Sequence, residues 1–264
     1  MEHMARNSGP PSGRNTTADR AIDVLLLFDD DAPVLSAGEV AERLDMSRST
    51  TYRYLQSLRS YDLLEEDEAR GGFRLGPRVH ELARIARKGL GLSEIALPIM
   101  QALRHRVGEA VLLTRRFGDR VVCVERVEGS SPTRLSYERG HVLPVHAGAS
   151  AKVLLAFAEP EDIEKVLATT TLERFTDSTV TDPDALRRQL NEIREVGYSV
   201  SDGEIDVGVR GVGAPILSSD GRVVAGLSVA GLALRMTDEV LPDVIVAVKE
   251  SAAAITKRLA DISG

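Results

Sequence analysis

The chain has 264 residues, of which 33 are Lys or Arg and 40 are Asp or Glu, giving a formal net charge of −7. With 43% hydrophobic residues it is too apolar for a disordered protein and too long for one minimal core, so two folded domains are expected. The lone Cys123 excludes a disulfide framework and a multi-thiolate metal site. No apolar run approaches the roughly 18 residues that a membrane span needs, and the first residues do not resemble a signal peptide. Both observations favour a cytoplasmic protein without a membrane partner.

The first quarter of the chain has the pattern of a small helical domain. Residues 1–16 are rich in Ser, Gly, Pro and Asn and are predicted to form a mobile arm. Helical periodicity begins at Asp19, a capping-box signature at Ser36 and Glu39 opens a second helix, and Ser47 can cap a third. Two short helices separated by a tight break, after a longer first one, are typical of a helix-turn-helix.

The helix after Ser47 has the composition of a DNA-recognition helix. Residues 47–61 contain three arginines and no acid, whereas residues 1–76 as a whole carry 9 Lys and Arg against 14 Asp and Glu. Arginine can fork to guanine and glutamine to adenine in the major groove, while hydroxyl groups hold phosphates. The residues predicted to contact DNA on this helix are Arg48, Ser49, Thr50, Tyr52, Arg53 and Gln56. The alternative is a solvated basic face on an ordinary three-helix domain.

A hairpin and a further helix are predicted to follow. The stretches on either side of a Gly-Gly pair predict a hairpin that acts as a wing, which gives a winged helix-turn-helix over residues 17–76. Arg74 in the wing and Arg14 in the arm are predicted to approach the DNA backbone or the minor groove. Residues 77–92 are predicted to contain an amphipathic linker helix.

Residues 93–264 form the second predicted domain, in which helical stretches alternate with β-rich ones. Turn signals at Gly118-Asp119 and Ser219–Gly221 predict two hairpins. Strands that pair by hairpins, with helices packed at one side, indicate an α+β fold with an antiparallel sheet. The predicted strands lie near 111–113, 121–124, 133–137, 212–217 and 223–229, and the predicted helices near 93–107, 148–157, 160–168, 183–196 and 237–259.

Several motifs along the chain resemble those of the IclR family of bacterial transcription regulators. They are Ala18–Ala21, Ser36–Ala41, Ser47–Arg53, Phe73–Gly76, Gly140–Ala147 running into Ser150–Ala156, and Gly208–Ile216. The resemblance implies a winged helix-turn-helix joined by a linker helix to an effector-binding domain of GAF-like architecture, in a homodimer or a homotetramer. The family includes repressors and activators, whose effectors are mostly small organic acids, often aromatic, and whose targets are often adjacent catabolic operons.

One helix start in the second domain has the features of an anion site. Gly148 precedes a predicted helix, so the backbone amides of Ala149 and Ser150 would face outward at the positive end of the helix dipole, which suits a carboxylate. The alternative is a routine helix start at which Ser150 bonds its own backbone. The resemblance implies that these two amides hold the carboxylate of the effector.

The other walls of the effector site are predicted from later segments and from the resemblance. Family members often carry Cys where this chain has Gly211, and a second Ser where it has Ala230, so a larger or less polar ligand is expected. Arg210 is expected either to meet an anionic ligand or to pair with Glu204 or Asp206. The predicted effector-binding residues are Leu135, Leu143, Ala149, Ser150, Ser201, Asp202, Glu204, Val209, Gly211 and Ser228, with Tyr137 as a ring partner.

Residues for catalysis or for holding a metal cannot be assembled from this sequence. It contains none of the common nucleophile, metalloprotease or nucleotide-binding motifs, and no cofactor is expected. Cys123 with His141 and His146 makes a poor metal site without a carboxylate cluster. For Lys152, a helix-surface or ion-pairing role is favoured over a Schiff-base lysine.

The sequence therefore predicts a DNA-binding transcription regulator rather than an enzyme. The specific hypothesis is a repressor of a nearby catabolic operon that a small organic acid, aromatic or aliphatic, releases from its double-stranded operator. Three alternatives stay open at this point. They are an activator of the same kind of operon, a small-molecule enzyme with an accessory basic domain, and an adaptor whose winged helix binds protein.

Overall fold

The computed structural model of the chain describes residues 16–88, 91–130 and 138–263. The chain divides into two compact units, Met1–Gly89 and Leu90–Gly264, and each unit has hydrophobic core residues of its own. The domain borders predicted from the sequence, before residues 77 and 93, stay predictions.

The amino-terminal unit is a winged helix-turn-helix followed by one more helix. Its elements are α1 (Thr16–Leu25), α2 (Ala37–Arg43), α3 (Arg48–Ser60), β1 (Leu64–Asp67), β2 (Gly72–Leu75) and α4 (Pro77–Lys88). Their order is the predicted one. α1 ends at Leu25, and Phe28 beyond it is buried. Residues 1–15, which include the predicted arm and Arg14, lie outside the described residues.

The core of this unit lies between the first three helices and the hairpin. It contains Val24, Phe28, Leu35, Val40, Leu55, Leu58, Leu64 and Phe73. The backbones of Leu35 and Phe73 exchange hydrogen bonds of 2.9 and 2.8 Å, so the segment before α2 pairs with β2. Glycine is required at position 72 because a Cβ there would meet the Leu35 carbonyl oxygen at 2.8 Å. The wing is thereby tied to the helices.

The carboxy-terminal unit has an α+β architecture built around one sheet. Its elements are α5 (Leu92–Val107), β3 (Ala110–Phe117), β4 (Arg120–Val127), β5 (Val142–Pro144), α6 (Ala149–Ala156), α7 (Pro160–Thr169), α8 (Pro183–Val196), β6 (Ser199–Asp202), β7 (Val209–Leu217), β8 (Val223–Leu232) and α9 (Leu241–Ser263). The six strands form an antiparallel sheet in the order β5-β4-β3-β8-β7-β6.

Both predicted hairpins are present, as β3 with β4 and as β7 with β8. The edge strands β5 and β6 were not predicted, because runs of three and four residues carry little periodicity. The strand predicted near 133–137 lies outside the described residues.

Helices cover both faces of the sheet, so the prediction of helices at one side was wrong. α5 and α9 pack against one face, which carries Val111, Leu113 and Val212. α6, α7 and α8 belong to the core on the opposite face, together with Leu112 and Cys123. The physical reason is that β3 and β8 are nearly continuous buried runs, and strands of that kind need a cover on each face.

Candidate functional site

The outer face of α3 is the first candidate site. Thr51, Leu55 and Leu58 turn into the unit and are buried. The residues that the sequence predicted for DNA contact lie on the other side: Arg48, Ser49, Tyr52, Arg53 and Gln56 are exposed, and Thr50 is half-buried. This division follows from the 3.6-residue period of the helix.

The start of α3 is fixed by hydrogen bonds that orient this face. The Ser47 hydroxyl caps the helix by accepting a hydrogen bond from the Thr50 amide at 3.2 Å. The buried Thr51 hydroxyl donates to the Ser47 carbonyl at 3.1 Å. The turn before the helix contains Asp45 with φ of +50°, and the Met46 amide bonds the Ala41 carbonyl at 2.9 Å. α2 and α3 are therefore held in a defined relation.

Ion pairs divide the arginines of this unit into two groups. Arg59 pairs with Glu66 at 2.6 Å and Arg74 pairs with Glu65 at 2.7 Å, so both of these cations are neutralised by carboxylates of β1. Among the residues that the structure describes, Arg48 and Arg53 have no carboxylate partner. The outer face of α3 thus carries two positive charges that no described carboxylate neutralises, which suits contact with phosphates or with guanine.

The second candidate site is a cavity between α6 and the sheet in the carboxy-terminal unit. The space between its walls and the open solvent at its mouth together amount to about 440 Å³. Its lining residues are Leu112, Leu143, Gly148, Ala149, Ser150, Ser201, Glu204, Ile205, Asp206, Val209, Gly211, Ser228, Val229 and Ala230. Cavities of this kind, mostly apolar with a few polar groups, are the usual form of small-molecule sites.

Strand register explains why there is room for a cavity here. Ser201 pairs with Gly211 and Gly211 with Ala230, so three small residues lie side by side across β6, β7 and β8. Beside this row, the glycine at position 213 lets α6 approach closely, since a Cβ there would meet the Ala149 carbonyl oxygen at 2.9 Å. The helix consequently starts directly over the small residues.

The beginning of α6 has unbonded amides at the cavity. Gly148 is the N-cap residue, with φ of +82°, and no side chain caps the helix. Among the described residues, nothing accepts a hydrogen bond from the amides of Ala149 and Ser150, which both line the cavity. All eight residues of α6 are buried. A buried, uncapped helix start favours an anion.

A chain of buried hydroxyl groups continues from this helix start. The Ser228 hydroxyl donates to the Ser150 hydroxyl at 3.1 Å, and Ser150 lies 2.6 Å from the hydroxyl of Thr114. Thr114 also donates to the Gly226 carbonyl at 3.3 Å. Ser228 lines the cavity, and its hydroxyl oxygen keeps the capacity to accept a hydrogen bond. Thr114 is a supporting residue that the sequence reasoning missed.

A buried ion pair forms the polar wall opposite. One Glu204 carboxylate oxygen accepts the Gly148 amide at 3.0 Å, and the other is bound by the ammonium group of Lys152. Both side chains are buried. Lys152 is therefore an ion-pairing residue, as favoured from the sequence, and it does not lie on the helix surface. Burial of both charges is tolerated because each has a hydrogen-bonded partner.

The structure places most of the predicted effector-binding residues around the cavity. The eight that line it are Leu143, Ala149, Ser150, Ser201, Glu204, Val209, Gly211 and Ser228. Asp202 does not line the cavity, because its carboxylate binds Arg210 at 2.5 Å. Arg210 also pairs with Asp238 at 2.7 Å, so the expectation that it pairs with Glu204 or Asp206 was wrong. Leu135 and Tyr137 lie outside the described residues.

The sequence reasoning missed three apolar lining residues. Leu112 and Val229 lie on central strands, where nothing in the sequence distinguishes a wall residue from a core residue. Ile205 lies in the loop after β6, beside Glu204, and its side chain would touch a Cβ at position 148. Ile205 could have been included from its position between two predicted site residues.

His146, three residues before the start of α6, is buried beside the cavity. Its Nε2 donates to the Glu173 carbonyl at 2.9 Å, and its ring stacks on Phe175 with centroids 5.8 Å apart. Burial lowers the pKa of His146, against the opposing effects of Glu173 and Glu204. Burial therefore favours the neutral form of the ring.

The described part of the chain has no group of side chains suited to a metal ion and no helix suited to a membrane. Burial raises the pKa of the Cys123 thiol to about 11, so this cysteine stays protonated. Within residues 16–88, 91–130 and 138–263, no cluster of three His, Cys, Asp or Glu side chains could hold a metal ion. Over the same residues, no helix combines the length and apolar character needed to cross a bilayer.

Comparison with known families identifies both units. The model for the IclR helix-turn-helix domain matches residues 17–68, and the model "Bacterial transcriptional regulator IclR C-terminal" matches residues 86–257. The chain belongs to the IclR family. It is thus a helix-turn-helix transcription regulator that binds DNA, and the prediction that it is not an enzyme is confirmed by its relatives.

Relatives in the IclR family align with most of this chain. BhcR of Paracoccus denitrificans, an HTH-type transcriptional regulator, is 36% identical over 245 residues, which are 91% of this chain and 86% of BhcR. AllR of Escherichia coli, an HTH-type transcriptional repressor, is 29% identical over 84% of this chain and 82% of AllR. A crystal structure of an IclR homolog from Microbacterium hydrocarbonoxydans, complexed with 4-hydroxybenzoate, has a TM-score of 0.81 and 33% identity, covering 92% of this chain and 98% of that one.

Proposed function

We propose that this protein is a repressor of a nearby catabolic operon, released from its operator by a small organic acid that binds in the cavity at the start of α6. The observation that carries the proposal is the uncapped α6 start, where the amides of Ala149 and Ser150 meet a mostly apolar cavity. The protein acts on chromosomal DNA, and so in the cytoplasm.

The DNA side of the proposal rests on the outer face of α3. Arg48 and Arg53 are exposed and have no carboxylate partner among the described residues. Their full positive charge is therefore available to DNA phosphates or to guanine edges. Tyr52 and Gln56 lie on the same face. Arg74 is a weaker candidate because Glu65 already binds it. Arg14 stays a prediction from the sequence.

The ligand side rests on how the polar groups of the cavity are distributed. Amides at the α6 start suit a carboxylate, and the Ser228 hydroxyl suits a second polar group. Leu112, Leu143 and Val209 suit an apolar body between them. 4-Hydroxybenzoate, which is bound in the crystal structure of one relative, combines a carboxylate, a hydroxyl group and an apolar ring in one molecule. This supports aromatic acids as the first candidates.

Release from DNA requires that the ligand change the spacing of two recognition helices. We propose a homodimer, or a dimer of dimers, because an operator with two half-sites about one helical turn apart is read by two copies of α3. A ligand that favours one arrangement of the copies shifts the population toward it. The repressor role is favoured by AllR, which is named as a repressor.

The test is a fluorescence-anisotropy titration of the full chain on the intergenic DNA upstream of its own gene, at two salt concentrations, with and without a panel of aromatic and aliphatic carboxylates. We expect salt-weakened, specific binding that one carboxylate abolishes. Ser228→Ala should weaken the ligand response and Arg53→Ala the DNA binding. Arg188→Ala, which removes an exposed arginine from α8, is the matched control. A ligand that strengthens DNA binding instead would refute release by the ligand, and specific binding unaffected by every acid would refute the effector proposal.

A further inference from the structure

An acidic side chain lies next to the position proposed for the ligand carboxylate. The Glu204 carboxylate accepts the Gly148 amide at 3.0 Å, and the next two amides along the chain are those of Ala149 and Ser150. A ligand carboxylate on those amides would therefore face a second carboxylate across a few ångströms. Two carboxylates that share a buried site repel each other strongly and disfavour joint ionisation.

Lys152 supplies the opposite charge from behind this wall. Its ammonium group binds the Glu204 oxygen that the Gly148 amide leaves free, and it also approaches the Val200 carbonyl at 3.4 Å. The side chain is only 3% exposed, compared with 8% for that of Glu204. Lys152 does not line the cavity, so it acts on a ligand at a distance, through the combined charge that it makes with Glu204.

The geometry points to Lys152 as a positioning residue that sets the specificity of the cavity for anions: it balances the charge of Glu204 and thereby admits a carboxylate at the start of α6. The inference rests on the proposed function, because it needs a carboxylate ligand at that helix start. With the pair intact the wall is neutral overall. Without Lys152 the wall would be negative, and without Glu204 it would be positive.

The loop that carries Glu204 is held in place by contacts that do not involve Lys152. The Thr179 hydroxyl donates to the Glu204 carbonyl at 2.7 Å, and the Thr176 hydroxyl donates to the Gly203 carbonyl at 2.5 Å. The charge of the wall can consequently be changed by substitution at Lys152 without removing these backbone contacts.

Four proteins give a complete test: the wild type, Lys152→Met, Glu204→Gln and the double variant. Affinities for 4-hydroxybenzoate, benzoate and acetate, and for their uncharged amides, are measured by calorimetry. We expect Lys152→Met to lose about 10- to 100-fold in carboxylate affinity, Glu204→Gln to gain up to about tenfold, and the double variant to return near the wild type. Amide affinities should change less than about threefold throughout. Lys165→Met, at an exposed lysine of α7, is the matched control and should change neither the carboxylate affinities nor the amide affinities.

Each outcome decides one claim. Equal losses for carboxylates and amides in Lys152→Met would make Lys152 structural and overturn the inference. If Lys152→Met does not fold, the other two variants test the same claim. The inference then requires that Glu204→Gln gain carboxylate affinity and that the double variant lose this gain. If the wild type binds carboxylates, but no variant changes carboxylate affinity relative to amide affinity, this inference alone fails. If the wild type binds no carboxylate at all, the proposed function fails and this inference with it.

Discussion

α3 and α6 are both helices with a candidate binding role, and they use opposite parts of the helix. α3 has a capped start and an exposed side face, on which Arg48 and Arg53 carry unpaired charge. α6 is buried along its whole length and has an uncapped start, and its Lys152 is paired inside the protein. Side-chain charges that contact DNA can remain solvated until the DNA binds. Charges near a buried ligand must instead be balanced by other groups within the fold.

The largest expected difference between the two regions is in stability. Lys152→Ala should lower the free energy of unfolding of the carboxy-terminal unit by about 3–5 kcal/mol, because it leaves the buried Glu204 carboxylate without its partner. Arg53→Ala should change the stability of the amino-terminal unit by less than about 0.5 kcal/mol, because its side chain is exposed and unpaired. Chemical denaturation of both variants measures this. Similar losses for the two would contradict the contrast.

The second prediction concerns the uncapped start of α6. Gly148→Ala should cost about 1–3 kcal/mol, because its backbone, with φ of +82° and ψ of 150°, lies in a region that only glycine adopts readily. The new Cβ would also lie 2.8 Å from Ile205, a wall of the cavity. Thermal unfolding should show the lower stability, and a ligand titration should show a changed ligand affinity. Gly118→Ala is the control: its φ of +63° is also positive, but it lies in the β3–β4 turn away from the cavity, so it should leave ligand affinity unchanged.

The third prediction sharpens the DNA side of the comparison. Arg53→Ala should weaken specific DNA binding by about 1–3 kcal/mol if the residue reads a base. Arg74→Ala should cost less, because Glu65 already holds that guanidinium. Anisotropy titrations at several salt concentrations separate the two. A larger loss for Arg74 than for Arg53 would mean that the wing, and not α3, dominates recognition.

The smallest effect should appear as a pH dependence near the cavity. Because burial lowers the pKa of His146, the unfolded chain binds a proton more readily than the folded one below the ordinary histidine value of about 6.5. The stability that the neutral ring contributes is therefore present above that pH and is lost as the pH falls through the folded pKa. Unfolding measured from pH 7.5 to pH 5 should show a shallower loss in His146→Gln. His105→Gln, at an exposed histidine, should follow the wild type.

The two regions also differed in how far the sequence predicted them. The recognition face of α3 follows from one short segment, because helical periodicity alone separates Thr51, Leu55 and Leu58 from the exposed residues. The cavity draws its residues from β3, the start of α6, the loop after β6 and four further strands, and only the fold brings those together. The family resemblance, rather than periodicity, located most of its walls.

The errors have physical causes that a sequence pattern does not carry. Arg210 was expected near the ligand or beside Glu204, but long side chains choose partners by tertiary position, and Asp202 and Asp238 are nearer. Lys152 was correctly favoured as an ion-pairing residue, yet its partner and its burial depend on a contact 52 residues away along the chain. The hydroxyl of Thr114 could not be foreseen because its strand reads as plain core.

The most direct test of the whole account is an anisotropy titration of the wild type on its own upstream DNA, run with and without the carboxylate that calorimetry shows to bind most tightly. We predict specific DNA binding that weakens with salt and is lost when the acid saturates the protein, while the matching amide has no effect. Specific DNA binding that stays unchanged when the acid saturates the protein would contradict it.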